Sequence, residues 1–442
     1  MTAFAPLLVP EPLAAAVSAR AWLSAMLEAE RSLAAAGAAA GVVPAEAAAA
    51  IAAACSVDAY DWNTLLQDGR RAGTPVEPLV RAVVDRVGED AGRYVHLGAT
   101  SQDIMDTAAM LVARTALDLV LDDLGRVAEA CASLARSHRD TPMAGRTMLQ
   151  HAVPTTFGLK AAGWLVAMLD GRGRLADLRA DGLAAQLGGA AGTLSALGEH
   201  GLAVSAAYAR ELGLPEATLP WHTNRVRVAE LGAALAIVCG VVSKIGLDVQ
   251  LLAQTEVSEV REAGDGGGSS AMPHKRNPVE AMWARAAAEL GRSHAAVLGD
   301  ALVAEHERPG GAWQAEWDAL SGALATTGGA AAALAQALEG LEVDAARMRA
   351  NLDLTGGGIA SERLALILTE RRGRADARAL VREASLRAAA GRTTLAEALD
   401  GVETGLGEAE LDDALDPTTY LGSAGALVDR ALERYEAERE DR

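Results

Sequence analysis

The sequence predicts an all-α protein, and three observations carry that prediction. Half of the 442 residues are apolar but only 3% are aromatic, and the alanine and leucine that dominate are strong helix formers, unlike the β-branched and aromatic residues of strands. Apolar residues recur at three- and four-residue steps. Two proline-free stretches, Ile104 to Asp140 and Val228 to Ala263, exceed the ordinary length of a globular helix. Together they predict three helical domains, the middle one built on a long central bundle. A chain of this length has ample core for that.

The elements follow in order. Between residues 11 and 55, Leu23, Met26, Leu27 and Leu33 mark one helical face, and Pro44 punctuates the next helix start. A short helical region leads to a turn over Tyr94 to Asp103. The two long segments come next, and the glycine-rich stretch Gly264 to Pro278 follows the second. A helix over Val343 to Leu354 ends at the breaker cluster Thr355-Gly356-Gly357-Gly358, and shorter helical pieces fill the rest. The expected domains are 1–102, 103–356 and 357–442.

A formal charge of −19, with no basic block interleaved with aromatics, argues against nucleic acid as a partner. Any anionic ligand must therefore meet locally placed donors. Cys55, Cys131 and Cys239 lie far apart, without the spacing of a zinc site or a disulfide framework, as suits a reducing cytoplasm. The N-terminal residues lack a basic leader followed by an apolar run, so no signal peptide is expected. The longest apolar stretch, Ala233 to Val242, is too short for a bilayer, so no membrane partner is expected either.

Chemistry concentrates in GDGGGSSAMPHKRNP, Gly264 to Pro278. Flexible backbone stands beside two serines, a lysine, an arginine and an asparagine, the make-up of an active-site lid that excludes water. Gly268 to Pro278 resembles the signature of the fumarase/aspartase superfamily. His96-Leu97-Gly98-Ala99-Thr100-Ser101-Gln102-Asp103 and Gly145-Arg146-Thr147-Met148-Leu149-Gln150-His151 resemble that superfamily's other two active-site segments, in the same order.

The resemblance implies a homotetramer whose long helices form one bundle and whose active sites draw three segments from three subunits. It also implies β-elimination or its reverse beside a carboxylate, with Ser269 as the base. Physical chemistry agrees: removing that proton puts two negative charges on one group, which requires donors already in place, and Lys275 and Asn277 follow closely in the chain. A serine needs glycine N–H groups and a nearby cation to become a base; Ser270 competes for the role. Thr100 and Ser101, at an expected helix N-terminus, suit a second carboxylate. His96, Thr147, Gln150 and His151 complete the expected substrate-binding set.

Two departures from the superfamily pattern narrow the chemistry. In adenylosuccinate lyases and fumarases the second segment reads Thr-His, and the histidine pairs with a glutamate after the loop; here the positions hold Met148 and Met282. An amine leaving group needs protonation and a carboxylate does not, so the loss favours a carboxylate leaving group. His151, three residues after Met148, is expected to share its helical face as a substitute acid. The hydroxyl cluster that holds phosphate in adenylosuccinate lyases is replaced by His306 to Trp317, which disfavours a nucleotide.

Trp313 to Trp317, Gln186 to Thr193 and Pro220 to Thr223 resemble the carboxymuconate cycloisomerase branch. The expectation is a small polycarboxylate substrate whose own carboxylate adds to its double bond, with no cofactor and no metal. The alternative is a fumarate-releasing lyase for a specialised amino-acid or nitro-acid substrate. Intact Ser269, Lys275 and Asn277 argue against an inactive scaffold.

Overall fold

Alanine-rich apolar repeats set the architecture by letting helices approach closely on several sides. In the computed structural model, which describes residues 3–264, 267, 268, 272 and 274–440, five long helices dominate: Ser101–Ser137, Phe157–Asp177, Val226–Ala253, Val279–Asp300 and Ala312–Glu339. The all-α expectation holds, apart from two small antiparallel ladders.

The Val226–Ala253 helix shows why these segments are helical. Val228, Leu231, Leu235, Val238, Val242, Ile245, Val249 and Leu252 alternate three- and four-residue steps, and every one is buried. By length and composition this helix passes for a membrane span. Its buried seam identifies it instead as a core helix, each such side chain contributing about 1.5–3 kcal/mol. It stops at Ala253, short of the expected Ala263. Ser258 adopts a left-handed φ of 53°, and Val260–Glu262 (β3) then pairs antiparallel with Leu341–Val343 (β4), so the ladder replaces the last turns of helix.

By its contacts the chain forms two compact units. The first comprises Met1–Gly125, Asp170–Lys244 and Met282–Leu334. In it Ala19–Ala39 packs on Ala45–Ala54 and on Gly201–Leu212, burying the predicted Leu23, Met26, Leu27 and Leu33. Ser18 starts that helix by accepting a hydrogen bond from the Ala21 N–H.

The second unit comprises Arg126–Leu169, Ile245–Ala281 and Ala335–Arg442. It contains a hairpin of Pro142–Thr147 (β1) and Gln150–Thr156 (β2), and a C-terminal cluster built on Leu364, Leu368, Val381, Leu395 and Leu399. The helix expected over Val343 to Leu354 spans Ala345–Leu352, capped by Asp344, and the following glycines Gly356 and Gly357 take left-handed turns. We propose the division near residues 102 and 356 as a description of domains; these points fall at the start of the Ser101 helix and in the turns after Leu352.

Candidate active site

In the first unit the segment 93–100 is a turn, with His96 at φ 58° and Gly98 at φ 78°, and the long helix begins at Ser101 as expected. Thr100 donates its N–H to Asp103 Oδ2 at 2.9 Å, which satisfies one free donor of the helix N-terminus. The Thr100 and Ser101 side chains stay half-buried beside the remaining positive end of the helix.

Asp103 organises the surroundings. Its Oδ1 accepts from Gly188 N–H at 2.9 Å and lies 2.7 Å from His222 Nε2, while Oδ2 also accepts from Gly189 N–H at 2.9 Å. Gly189 must be glycine: its φ is 71°, and a Cβ there would sit 2.9 Å from the Gly98 carbonyl oxygen. Gln102 donates to the His222 carbonyl at 2.8 Å and accepts from Arg308 at 3.2 Å. One turn along, buried Asp106 accepts from Arg225 and from Trp313 Nε1, and Arg225 also pairs with buried Glu316. Segments 186–193, 220–223 and 308–316 are thus fastened to one helix start.

His96 is held from behind. Its Nδ1 lies 2.6 Å from Glu30 Oε1, and the Glu30 side chain has no exposed surface. Burial alone would lower the imidazole, but the Glu30 charge and hydrogen bond outweigh it and raise its pKa.

In the second unit the hairpin carries Thr147, Gln150 and His151. Thr147 faces Gln150 and Arg146 faces His151 in register. Met148 and Leu149 form the two-residue turn with φ of 50° and 65°, and Met148 is 97% exposed. This corrects the helical reading of the segment: His151 and Met148 share no helical face, because two left-handed residues close a hairpin. Buried Glu259 fixes the strand from the side, accepting from Arg146 Nη1 and Nη2 at 2.9 and 2.7 Å and from Asn351 at 2.8 Å. His151 is half-buried, with its Nδ1 buried and without a hydrogen-bond partner. Burial, then the Arg146 charge, hold its pKa below the usual histidine value, which favours the neutral ring over the protonated acid.

Of the glycine-rich loop, Ser269 and Ser270 lie outside the described residues. Lys275 and Asn277 are exposed. Asn277 closes the loop, its backbone N–H and Nδ2 both donating to the Gly267 carbonyl at 3.1 and 2.8 Å. Glu262 caps the following helix by accepting from the N–H groups of Glu280 and Ala281. Among the described residues no group of three or more histidine, cysteine, aspartate or glutamate side chains has the arrangement of a metal site.

The structure thus brings His96, Thr100 and Ser101 together in one unit, and Thr147, Gln150 and His151 together on the hairpin of the other, which also carries Lys275 and Asn277. Glu30, Glu259, His222 and Arg308 were assigned no role from sequence. The motif Gly98 to Asp103 contained the one available signal, the aspartate three residues after Thr100.

Comparison with known proteins adds the following. A family model described as "Lyase" matches residues 10–289, and one described as "Adenylosuccinate lyase C-terminus" matches residues 357–431. A nitrosuccinate lyase of Streptomyces davaonensis is 51% identical, covering 97% of this chain and 93% of that protein. A 3-carboxy-cis,cis-muconate cycloisomerase of Bradyrhizobium diazoefficiens is 46% identical, covering 98% and 99%. The crystal structure of 3-carboxy-cis,cis-muconate lactonizing enzyme from Pseudomonas putida superposes with a TM-score of 0.92 at 42% identity, covering 98% of this chain and 99% of that one.

Proposed function

Because the chain belongs to the lyase family of the fumarase/aspartase superfamily and is an enzyme of lyase or cycloisomerase type, we propose that it interconverts 3-carboxy-cis,cis-muconate and 4-carboxymuconolactone. In the lactone-forming direction a substrate carboxylate oxygen bonds to a carbon of the substrate's own double bond, and Ser269 delivers a proton to the adjacent carbon. In reverse, Ser269 removes that proton and the carboxylate leaves. Composition is unchanged, so the reaction needs no second substrate.

The observation that carries this reading is that methionine stands at both positions, Met148 and Met282, where the resemblance places the histidine and glutamate of an acid pair. Neither side chain donates a proton, and burial and the Arg146 charge lower the pKa of His151, three residues after Met148, which disfavours its acid form. A site in which that acid pair is replaced suits a leaving group that is stable as an anion. Lys275 and Asn277 are the donors for the doubly charged intermediate. Thr100 and Ser101, with His96, hold a second carboxylate, and Thr147 and Gln150 contribute further donors. A homotetramer with shared sites accords with the apolar side chains that the long helices leave exposed, namely Ile237, Leu247, Met282, Leu290 and Val297. Activity regained on mixing Ser269 and Thr100 variants, but not Ser269 and Lys275 variants, tests the sharing.

A second reading rests on the nitrosuccinate lyase relative. Elimination from nitrosuccinate breaks the carbon–nitrogen bond, takes a proton from the neighbouring carbon and yields fumarate and nitrite. Nitrite is also a weakly basic anion, so the missing acid suits this chemistry too. The deciding experiment gives purified protein each substrate separately. Ultraviolet loss of the carboxymuconate diene, with no fumarate released from nitrosuccinate, is the expected result. Equimolar fumarate and nitrite from nitrosuccinate, with carboxymuconate untouched, would replace the first reading by the second. Efficient deamination of aspartate or cleavage of adenylosuccinate would sink both.

A further inference from the structure

Glu30 lies in the Ala19–Ala39 helix, outside the three segments that resemble active-site motifs, yet it is among the most deeply buried charged groups of the first unit, at 1% exposure. Its Oε1 is 2.6 Å from His96 Nδ1, and its Oε2 is buried without any hydrogen-bond partner. Asp103, Tyr208 and Cys55, titratable groups that interact with Glu30 or His96, are acids and do not offset its charge, and the neighbouring cation Arg31 is engaged by Glu28. A carboxylate in such a place is costly unless a cation or a shared proton accompanies it. His96 meanwhile occupies a left-handed backbone conformation, φ 58°, which a non-glycine residue adopts at a cost, and its side chain remains 18% exposed.

We propose that Glu30 is the positioning residue of the substrate-binding histidine: by engaging Nδ1 it keeps a proton on the pair, so that His96 presents Nε2 as an N–H donor to a substrate carboxylate. The inference rests on the proposed role of His96. Two proton arrangements serve equally, a carboxylate beside an imidazolium or a carboxylic acid donating to Nδ1 of a neutral ring; in both, Nε2 carries hydrogen. Loss of that one proton converts Nε2 into an acceptor, which repels a carboxylate. Glu30 never touches substrate in this scheme.

The experiment measures binding of tricarballylate, a saturated tricarboxylate that cannot react, by calorimetry on the full-length protein, alongside turnover. Glu30→Gln retains shape but loses the charge, and is expected to weaken tricarballylate about tenfold, the worth of one charge-assisted hydrogen bond. His96→Gln should weaken it similarly, and Glu30→Gln combined with His96→Gln should be no worse than His96→Gln alone, because Glu30 acts through the ring. In the native protein affinity should fall as pH rises through the His96 titration, a fall moved to lower pH by Glu30→Gln and abolished by His96→Gln.

Additive losses in the double variant, or an unchanged affinity in Glu30→Gln, would overturn the proposal. Should Glu30→Gln fail to fold, the pH dependence of the native protein against His96→Gln decides, and its absence would count against the dyad. Failure of the functional reading looks different: tricarballylate binds as described, but neither carboxymuconate nor nitrosuccinate is turned over.

Discussion

Replacing Arg146 by alanine tests what holds the hairpin in place. The guanidinium is one-fifth exposed and its partner Glu259 not at all; after the substitution Glu259 keeps, among the described residues, the Asn351 donor at 2.8 Å. Stranding a buried charge in this way costs about 3–5 kcal/mol, and the partial exposure of Arg146 places the expectation at the lower end, about 3 kcal/mol. At about 1.4 kcal/mol per factor of ten, that is a roughly hundredfold fall in the stability of the local structure against opening. Native-state hydrogen exchange reads it directly: cross-strand amides of Pro142–Thr147 and Gln150–Thr156 should lose about two orders of magnitude of protection, while amides around Leu364 and Leu395 keep theirs. Arg146→Met with Glu259→Leu should restore much of the loss, since no charge is then left unpaired. A fall below threefold, or an equal fall in both regions, would refute the idea that this ion pair fastens the hairpin locally.

Two further outcomes follow from the site. Ser269→Ala and Lys275→Ala should each lower kcat/KM by at least about 100-fold with an unchanged circular dichroism spectrum, since each removes stabilisation of the transition state; a larger loss in Ser270→Ala would transfer the base to that residue. His151→Gln should keep most of its activity. Because burial and Arg146 depress the folded pKa of His151, the unfolded ring takes up its proton first as pH falls below about 6.5. The native protein should therefore lose more stability than His151→Gln between pH 7 and 5, in urea titrations at both pH values, and equal losses would contradict the neutral assignment.

The long helices were legible because burial on one face writes a period into the sequence, as the seam from Val228 to Leu252 shows. The signature loop was legible for a different reason: successive glycines beside Lys275 and Asn277 have no use in a core helix. The hairpin was not, because its turn is made by Met148 and Leu149 rather than by asparagine and glycine, and nothing local announces two left-handed residues. Nor did the sequence single out Glu30 and Glu259. Each is one carboxylate whose partner stands 66 or 113 residues away, and such pairings exist only once the chain has folded. The end of the Val226–Ala253 helix was overrun for the same reason, since the strand that competes for residues 260–262 lies at Leu341–Val343.

The grip of Asp103 has a practical bearing on anyone who wishes to give this scaffold a new substrate. Four donors from three separate stretches, Thr100, Gly188, Gly189 and His222, converge on one buried carboxylate. Grafting a loop from a relative into any one stretch while leaving the others would misalign donors that share this one acceptor, whatever the new loop contributes by itself. The productive unit of exchange is the set of residues 94–103, 186–193 and 220–223 moved together. Libraries that vary these stretches independently should yield folded, active members far less often than libraries that shuffle them as linked cassettes.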